Sequence, residues 1–260
     1  MTNSSTLPSG LALVTGATAG IGHEFAVQLA RRGHPLVLVA RDEARLEAVA
    51  EQLRVDHRVE VEVLPADLVD RAQLDRVAER LRDRERPVEV LVNNAGFGLK
   101  QRFLDNDVEA EQQMLDILVT AVLRLSHAAL GTMTERGRGA VVNVSSVASF
   151  LPRGSYSAAK AWVNSFSEWA HNEYAGHGVQ VMALCPGFVK TEFHERMDVT
   201  RDSAPGFLWL EAEDLVRDAL VDLDRGRSFS VPSKRYKVIV TATRIIPRSL
   251  LQRAQALGRR

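Results

Sequence analysis

From Leu11 to Leu184, short apolar runs alternate with longer amphipathic stretches. The runs Leu11–Thr15, Pro35–Ala40, Val59–Leu64, Val88–Val92, Val141–Ser146 and Val179–Leu184 are each five or six residues long. That length and their Val/Leu content read as strands, the third by its alternation of Val with Glu. The stretches between them carry helical spacing. Phe25, Ala26 and Leu29 form one stripe, and Gly33 is a stop signal. Further helices are expected over Glu43–Leu53, Asp70–Arg84, Asp107–Thr134 and Tyr156–Tyr174. Strand–helix alternation implies a parallel sheet with helices on both faces, an α/β doubly wound fold of about seven strands. The expected division is a polar N-terminal tail (1–10), one domain (11–232) and a C-terminal extension (233–260).

In such a sheet ligands bind at the carboxyl ends of the strands. Several residues capable of chemistry collect there. The first strand runs into Gly16-Ala17-Thr18-Ala19-Gly20-Ile21-Gly22 and then a helix. Glycines allow close backbone approach, and a helix N-terminus offers unpaired N–H groups to a phosphate. The spacing Gly-x-x-x-Gly-x-Gly differs from the common dinucleotide fingerprint, so this stretch alone leaves a plain tight turn open. The second strand ends at Ala40, followed by Arg41 and Asp42. An acid here suits the ribose 2′-hydroxyl of NAD and an arginine the 2′-phosphate of NADP. Asp42 lies near the usual distance from Gly22 for the former role but is favoured as a helix N-cap; Arg41 is favoured as a phosphate contact. Asp67 and Leu68 follow the third strand, Asn93-Asn94-Ala95-Gly96 the fourth, Ser145 and Ser146 the fifth, and Cys185-Pro186-Gly187 the sixth.

Tyr156 and Lys160 are four residues apart, which on a helix places both on one face, one turn apart. A phenol titrates near ~10 in water, and a neighbouring ammonium favours its ionised form. Such a phenol can act as a general acid or base.

Composition limits the function classes. The 260 residues balance 33 Lys and Arg against 33 Asp and Glu, so bulk charge gives no reason for nucleic-acid binding. A single cysteine, Cys185, excludes an internal disulfide. No signal peptide and no apolar run long enough to span a bilayer is expected, which suggests a cytoplasmic protein. His194-Glu195 does not extend to His-Glu-x-x-His, and no metal site is expected.

Taken together, Thr15-Gly16-x-x-x-Gly20-Ile21-Gly22, Asp67, Asn93-Asn94-Ala95-Gly96, Ser146, Tyr156-x-x-x-Lys160 and Pro186-Gly187-x-x-x-Thr191 resemble the short-chain dehydrogenase/reductase family over nearly the whole chain. The resemblance implies a Rossmann-type fold and an NADP(H)-dependent oxidoreductase acting on a carbonyl or secondary-alcohol substrate. It implies cofactor contacts from Gly16, Thr18, Ala19, Gly20, Ile21 and Gly22 at the pyrophosphate. Arg41, Asp67, Leu68, Asn93, Ala95 and Gly96 would serve the adenosine half, with Asn93 at its ribose. Pro186, Gly187, Val189 and Thr191 would serve the nicotinamide. Tyr156 would transfer the proton, Lys160 would hold the nicotinamide ribose and lower the phenol pKa, and Ser146 would hold the substrate oxygen. A homodimer or homotetramer is implied, with Trp162, Phe166 and Trp169 as core or interface residues.

Two positions depart from the family pattern. Leu118 stands where the family usually has an asparagine that anchors a relay water. The interval from Ser146 to Tyr156 is short, which keeps Ser145 as a fallback for the serine role. Both departures keep open a dinucleotide-binding protein with weak or lost turnover. The segment Glu192–Trp209 corresponds to the family's substrate lid, and Phe193, Met197, Phe207, Leu208 and Trp209 suggest an apolar pocket wall. Beyond Arg225 the chain has no acid. This basic amphipathic tail is expected either to dock on its own domain or a partner subunit, or to lie on an anionic membrane surface.

Overall fold

A computed structural model describes residues 10–99, 101–191 and 205–245. Seven parallel strands form one sheet: β1 (Leu11–Thr15), β2 (Leu36–Ala40), β3 (Val61–Pro65), β4 (Val88–Asn93), β5 (Gly139–Val144), β6 (Val179–Leu184) and β9 (Phe229–Ser230), in the order β3-β2-β1-β4-β5-β6-β9. A two-stranded parallel ribbon, β7 (Phe188–Val189) and β8 (Trp209–Leu210), stands beside it. The chain winds outward from β1 to β3, then returns to place β4 against the other side of β1. That reversal opens a crevice at the carboxyl ends of β1 and β4, the position where a doubly wound sheet binds ligands.

Alternate residues of each strand face opposite sides, and both sides are covered. Ala12 and Val14 pack with Phe25 and Leu29 of α1 (Gly20–Arg31), Leu46 of α2 (Glu43–His57) and Leu215, Ala219 and Leu223 of α7 (Ala212–Asp224). Leu11 and Leu13 face the other way. They pack with Leu74 and Val77 of α3 (Arg71–Arg82), Leu125 and Ala129 of α5 (Ala121–Arg136) and Ala170 of α6 (Ser155–Tyr174). Burial on both faces explains why β1 and β2 read as unbroken apolar runs, whereas the edge strand β3 is only partly buried and carries Glu62 among its apolar residues.

Helix starts follow capping chemistry. Asp42, Asp70 and Asp107 each accept a backbone N–H of the first turn of α2, α3 and α4 (Val108–Leu115). Asp42 is thus the N-cap that the sequence allowed. The long helix expected over Asp107–Thr134 is α4 and α5 joined by a five-residue π turn, Asp116–Thr120. Helix 108–136 is long and apolar enough, by length and composition, to cross a membrane, which corrects the expectation that no stretch reaches that length. Half of its most apolar window is buried, and its residues Ala121, Leu125, Ala128 and Met133 belong to the core.

The basic extension begins with α8 (Lys234–Ile245), which docks on its own domain against the turn Val147–Phe150. Tyr236 and Val240 are buried there, whereas Val238 and Ile239 face solvent. The tail residues beyond Ile245 lie outside the described residues.

Candidate active site

The glycine loop is shaped by what touches it. Gly16 and Gly20 have φ of 66° and 57°, in the left-handed region that costs other residues energy. Gly22 is needed for space: a Cβ there would lie 2.3 Å from both the Gly16 carbonyl oxygen and Asn94 Nδ2. Asn94 is the brace. Its Nδ2 donates to the carbonyl oxygens of Thr15 (2.9 Å) and Gly16 (3.3 Å), and its backbone N–H donates to Thr15 Oγ1 (3.0 Å). Helix α1 starts at Gly20 with no side-chain cap and no acid in its first turn. Its terminal N–H groups therefore face the crevice edge without a built-in anion, the arrangement that accepts a phosphate. Thr191 closes on this loop from the far side, where a Cβ on Gly20 would meet its Cβ at 3.0 Å.

Arg41 is exposed at the end of β2, beside the loop. Arg45, one turn into α2, donates to the Thr18 carbonyl oxygen at 3.3 Å. Sequence reasoning did not single it out. Asp67 sits at the end of β3, where its Oδ1 accepts the Val69 N–H at 3.0 Å and shapes the turn.

Two residues expected at the adenosine half have side chains directed elsewhere. Asn93 is 4% exposed, and its Nδ2 donates to Ser126 Oγ (3.1 Å) and Asn143 Oδ1 (2.9 Å). It occupies an inward position of β4, so its side chain joins neighbouring strands and helix α5 instead of reaching a ribose. Leu68 is also buried, packed with the α3 residues Leu74 and Val77, which leaves only its main chain for an adenine.

Across the crevice, Tyr156, Ser146 and Lys160 come together. Ser146 follows β5; its Oγ accepts the Ala148 N–H at 3.1 Å, and its side chain lies near enough to the Tyr156 phenol to favour the ionised form. Ser145 is excluded from that role: it is buried, and its hydroxyl donates to the Lys160 carbonyl oxygen at 2.9 Å. The Ser146 loop is further tied to α6 by Asn164, whose Nδ2 donates to Ser149 Oγ at 2.6 Å, and Ser149 Oγ donates to the Ser146 carbonyl oxygen at 2.6 Å. At the start of α6, Ser155 donates to Glu111 Oε2 at 2.6 Å, and Asn106 donates to Glu111 Oε1 at 2.7 Å. Asn164 and Glu111 were invisible in the sequence because their partners are distant along the chain.

The electrostatics depart from the expectation of an acidified phenol. Removal from water pushes the Tyr156 pKa up to about 12, partly offset by the nearby Ser146 hydroxyl. Burial likewise pushes Lys160 down to about 8, with the nearby Cys185 opposing the fall. The Lys160 ammonium donates to the Val144 carbonyl oxygen at 2.6 Å and lies 5.9 Å from the centre of the Tyr156 ring. At that distance its field does not outweigh the desolvation of the phenol. Tyr156 borders the crevice and is only partly buried, so water there moderates its shift.

Leu118 lies in the π turn and is 1% exposed. It packs with Met114 and Ala159, and Gly96 is needed beside it because a Cβ would meet Leu118 Cδ2 at 2.6 Å. Phe97, Leu99 and Tyr156 pack on the same cluster and give this side of the crevice an apolar wall. Of the pocket wall expected from the lid, Phe207, Leu208 and Trp209 are described; Phe193, Met197 and the pair His194-Glu195 lie outside the described residues. The Trp209 ring packs on Phe188 with centroids 5.4 Å apart. Pro186 and Val189 are buried, and the Pro186 carbonyl oxygen accepts the Val147 N–H at 2.9 Å, joining this turn to the Ser146 loop.

The chain is similar to known proteins. A family model described as short chain dehydrogenase matches residues 10–202. A very-long-chain 3-oxoacyl-CoA reductase from Anas platyrhynchos is 34% identical over 217 residues, 80% of this chain and 67% of the relative. A solved short-chain dehydrogenase from Sphingobium yanoikuyae in complex with NADPH matches with a TM-score of 0.84 and 36% identity, covering 90% of this chain and 93% of that one. The bulky-bulky ketone specific alcohol dehydrogenase from Comamonas testosteroni matches with a TM-score of 0.78 and 31% identity, over 90% and 92% of the two chains. With the family's sheet, glycine loop and Tyr156/Lys160 pair in place, the chain belongs to the short-chain dehydrogenase/reductase family of oxidoreductases, which use a nicotinamide dinucleotide on small-molecule substrates.

Proposed function

We propose that the protein is an NADP(H)-dependent reductase or dehydrogenase of a carbonyl/secondary-alcohol pair, with Tyr156 as its proton donor and acceptor. The observation that carries this reading is the Tyr156/Lys160 pair, one helical turn apart with the Lys160 ammonium 5.9 Å from the Tyr156 ring centre, across the crevice from the braced glycine loop. The loop fits a dinucleotide: Gly16 and Gly20 take the left-handed turn that leads bare backbone to the start of α1, and the α1 N-terminus carries no competing carboxylate. Arg41, with Ala40 in place of an acid, favours NADP over NAD. The NADPH-bound relative from Sphingobium yanoikuyae supports the same choice.

When bound, the dinucleotide supplies a hydride to the carbonyl carbon. The protein does the rest. Ser146 and Tyr156 hydroxyls hold the carbonyl oxygen, and Tyr156 passes its proton to that oxygen as negative charge develops. A raised phenol pKa keeps Tyr156 protonated at neutral pH, the form a donor requires. The Lys160 ammonium stabilises the phenolate left behind until water reprotonates it. In the oxidative direction the same groups act in reverse. Phe97, Leu99, Phe188 and Trp209 favour carbonyls with apolar flanks. The names of two relatives, acting on 3-oxoacyl-CoA and on bulky ketones, agree with that class.

The test is NADPH oxidation over a panel of ketones, from small to bulky and long-chain. Turnover rising with apolar bulk is expected. Uniform absence of turnover alongside tight NADPH binding would instead support a second reading, a dinucleotide-binding protein acting through partners. Leu118 favours that alternative, because its apolar side chain fills the place of the family's asparagine.

A further inference from the structure

Tyr236 lies in α8, outside residues 10–202 covered by the family model, yet it is 3% exposed and pressed against the Pro186–Gly187 turn. A Cβ on Gly187 would sit 1.9 Å from Tyr236 Cζ, so the ring lies directly on the glycine backbone. Gly187 does not take a positive φ; the close approach of this ring is what excludes a side chain there. The phenol oxygen accepts the Phe188 N–H at 3.0 Å and donates to the Leu208 carbonyl oxygen at 2.7 Å. One hydroxyl thus ties the first residue of β7 to the turn that leads into β8. The preceding residue repeats the contact: the Arg235 guanidinium donates to the Phe207 carbonyl oxygen at 2.5 Å and lies 5.9 Å from the Phe207 ring. Burial raises the phenol pKa, so the hydroxyl stays neutral and keeps both bonds at working pH.

From this geometry we infer that Tyr236 is a positioning residue for the nicotinamide half of the cofactor. It fixes Gly187 and Phe188, and through them Val189 and Thr191, while touching nothing of the adenosine half. Gly16, Arg41 and Asn94 hold their places without it. The inference rests on the dinucleotide reading above. It predicts a split between two ligands that share the adenosine end. NADPH reaches the Pro186–Thr191 turn; adenosine 2′,5′-bisphosphate does not.

The experiment measures both dissociation constants in the full chain, its Tyr236→Phe variant and its Gly187→Ala variant. Tyr236→Phe keeps the ring and removes only the hydroxyl, so the fold is retained. It is expected to weaken NADPH about tenfold, the order of one or two lost hydrogen bonds, and to leave adenosine 2′,5′-bisphosphate unchanged. Gly187→Ala, which displaces the ring from the other side, is expected to give the same selective loss. Equal weakening of both ligands, the mark of a merely structural residue, would overturn the inference, as would no weakening of either. A parent chain that binds neither ligand would overturn the dinucleotide reading itself, and the inference with it.

Discussion

The Lys160 ammonium donates to the Val144 carbonyl oxygen and stands 5.9 Å from the Tyr156 ring centre. Lys160 is buried and Tyr156 partly so, and each is pushed toward its neutral form. Their coupling therefore has consequences for pH that differ in sign.

For Lys160 the folded pKa, about 8, lies below the ordinary value of 10.5. Below pH 8 both folded and unfolded chains carry the charge, and the fold bears the full cost of burying it. Between about 8 and 10.5 the folded chain sheds the proton first, so this contribution to stability rises with pH. Lys160→Met should be more stable than the parent by on the order of 3 kcal/mol near neutral pH. That advantage should shrink toward pH 10.5. Denaturant midpoints of both chains across this range check it. Tyr156 acts oppositely: with a folded pKa near 12 against 10.0, its contribution is lost as pH climbs from 10 to 12.

The same ammonium sets a kinetic limb. If its charge supports the phenolate, kcat/KM for ketone reduction should fall as pH passes about 8, the pKa of Lys160 in the cofactor-free protein. A flat profile to pH 10 would remove the ammonium from the proton transfer.

Arg41→Ala should raise the Kd for NADPH by about 10- to 100-fold, the worth of a charge-assisted hydrogen bond, and leave NADH nearly unchanged. Titration with both cofactors measures it. Equal losses would reassign Arg41 to the solvated surface.

Asn94→Ala removes two hydrogen bonds that hold the glycine loop. NADPH affinity should fall by about tenfold, with a loss of roughly 1–3 kcal/mol in stability from carbonyl oxygens left unpaired. Asn93→Ala should cost comparable stability through Ser126 and Asn143. Its effect on cofactor affinity should be small, because its side chain faces the interior. Paired thermal and binding measurements separate the two asparagines.

Leu118→Asn places an amide in an apolar cluster and should cost about 1–3 kcal/mol. Its turnover decides between the two readings above. An unchanged kcat fits an enzyme adapted to leucine, and a kcat raised tenfold or more fits one whose relay was impaired.

The six long strands and the motif positions were legible because a doubly wound sheet buries both faces and sets its chemistry at strand ends. Tyr156 and Lys160 come together where their spacing placed them. What escaped had physical causes. The seventh strand, Phe229–Ser230, is two residues long and carries no periodicity. The α7 stripe of Leu215, Val216, Ala219, Leu220 and Leu223 could have been found by its spacing. The division of labour between Asn93 and Asn94 depends on which way a strand end faces, which two adjacent identical residues conceal. The bracing by Glu111, Asn164 and Tyr236 comes from pairings distant in sequence, and single-chain spacing does not reveal those.

The central claim is that the Tyr156 hydroxyl delivers the proton to the substrate oxygen. Single-turnover NADPH oxidation with a reactive ketone, compared between the parent and Tyr156→Phe at equal cofactor saturation, measures this most directly. A loss of about 10²- to 10⁴-fold in rate, with NADPH affinity retained, is the predicted result. Equal rates in the two proteins would contradict it.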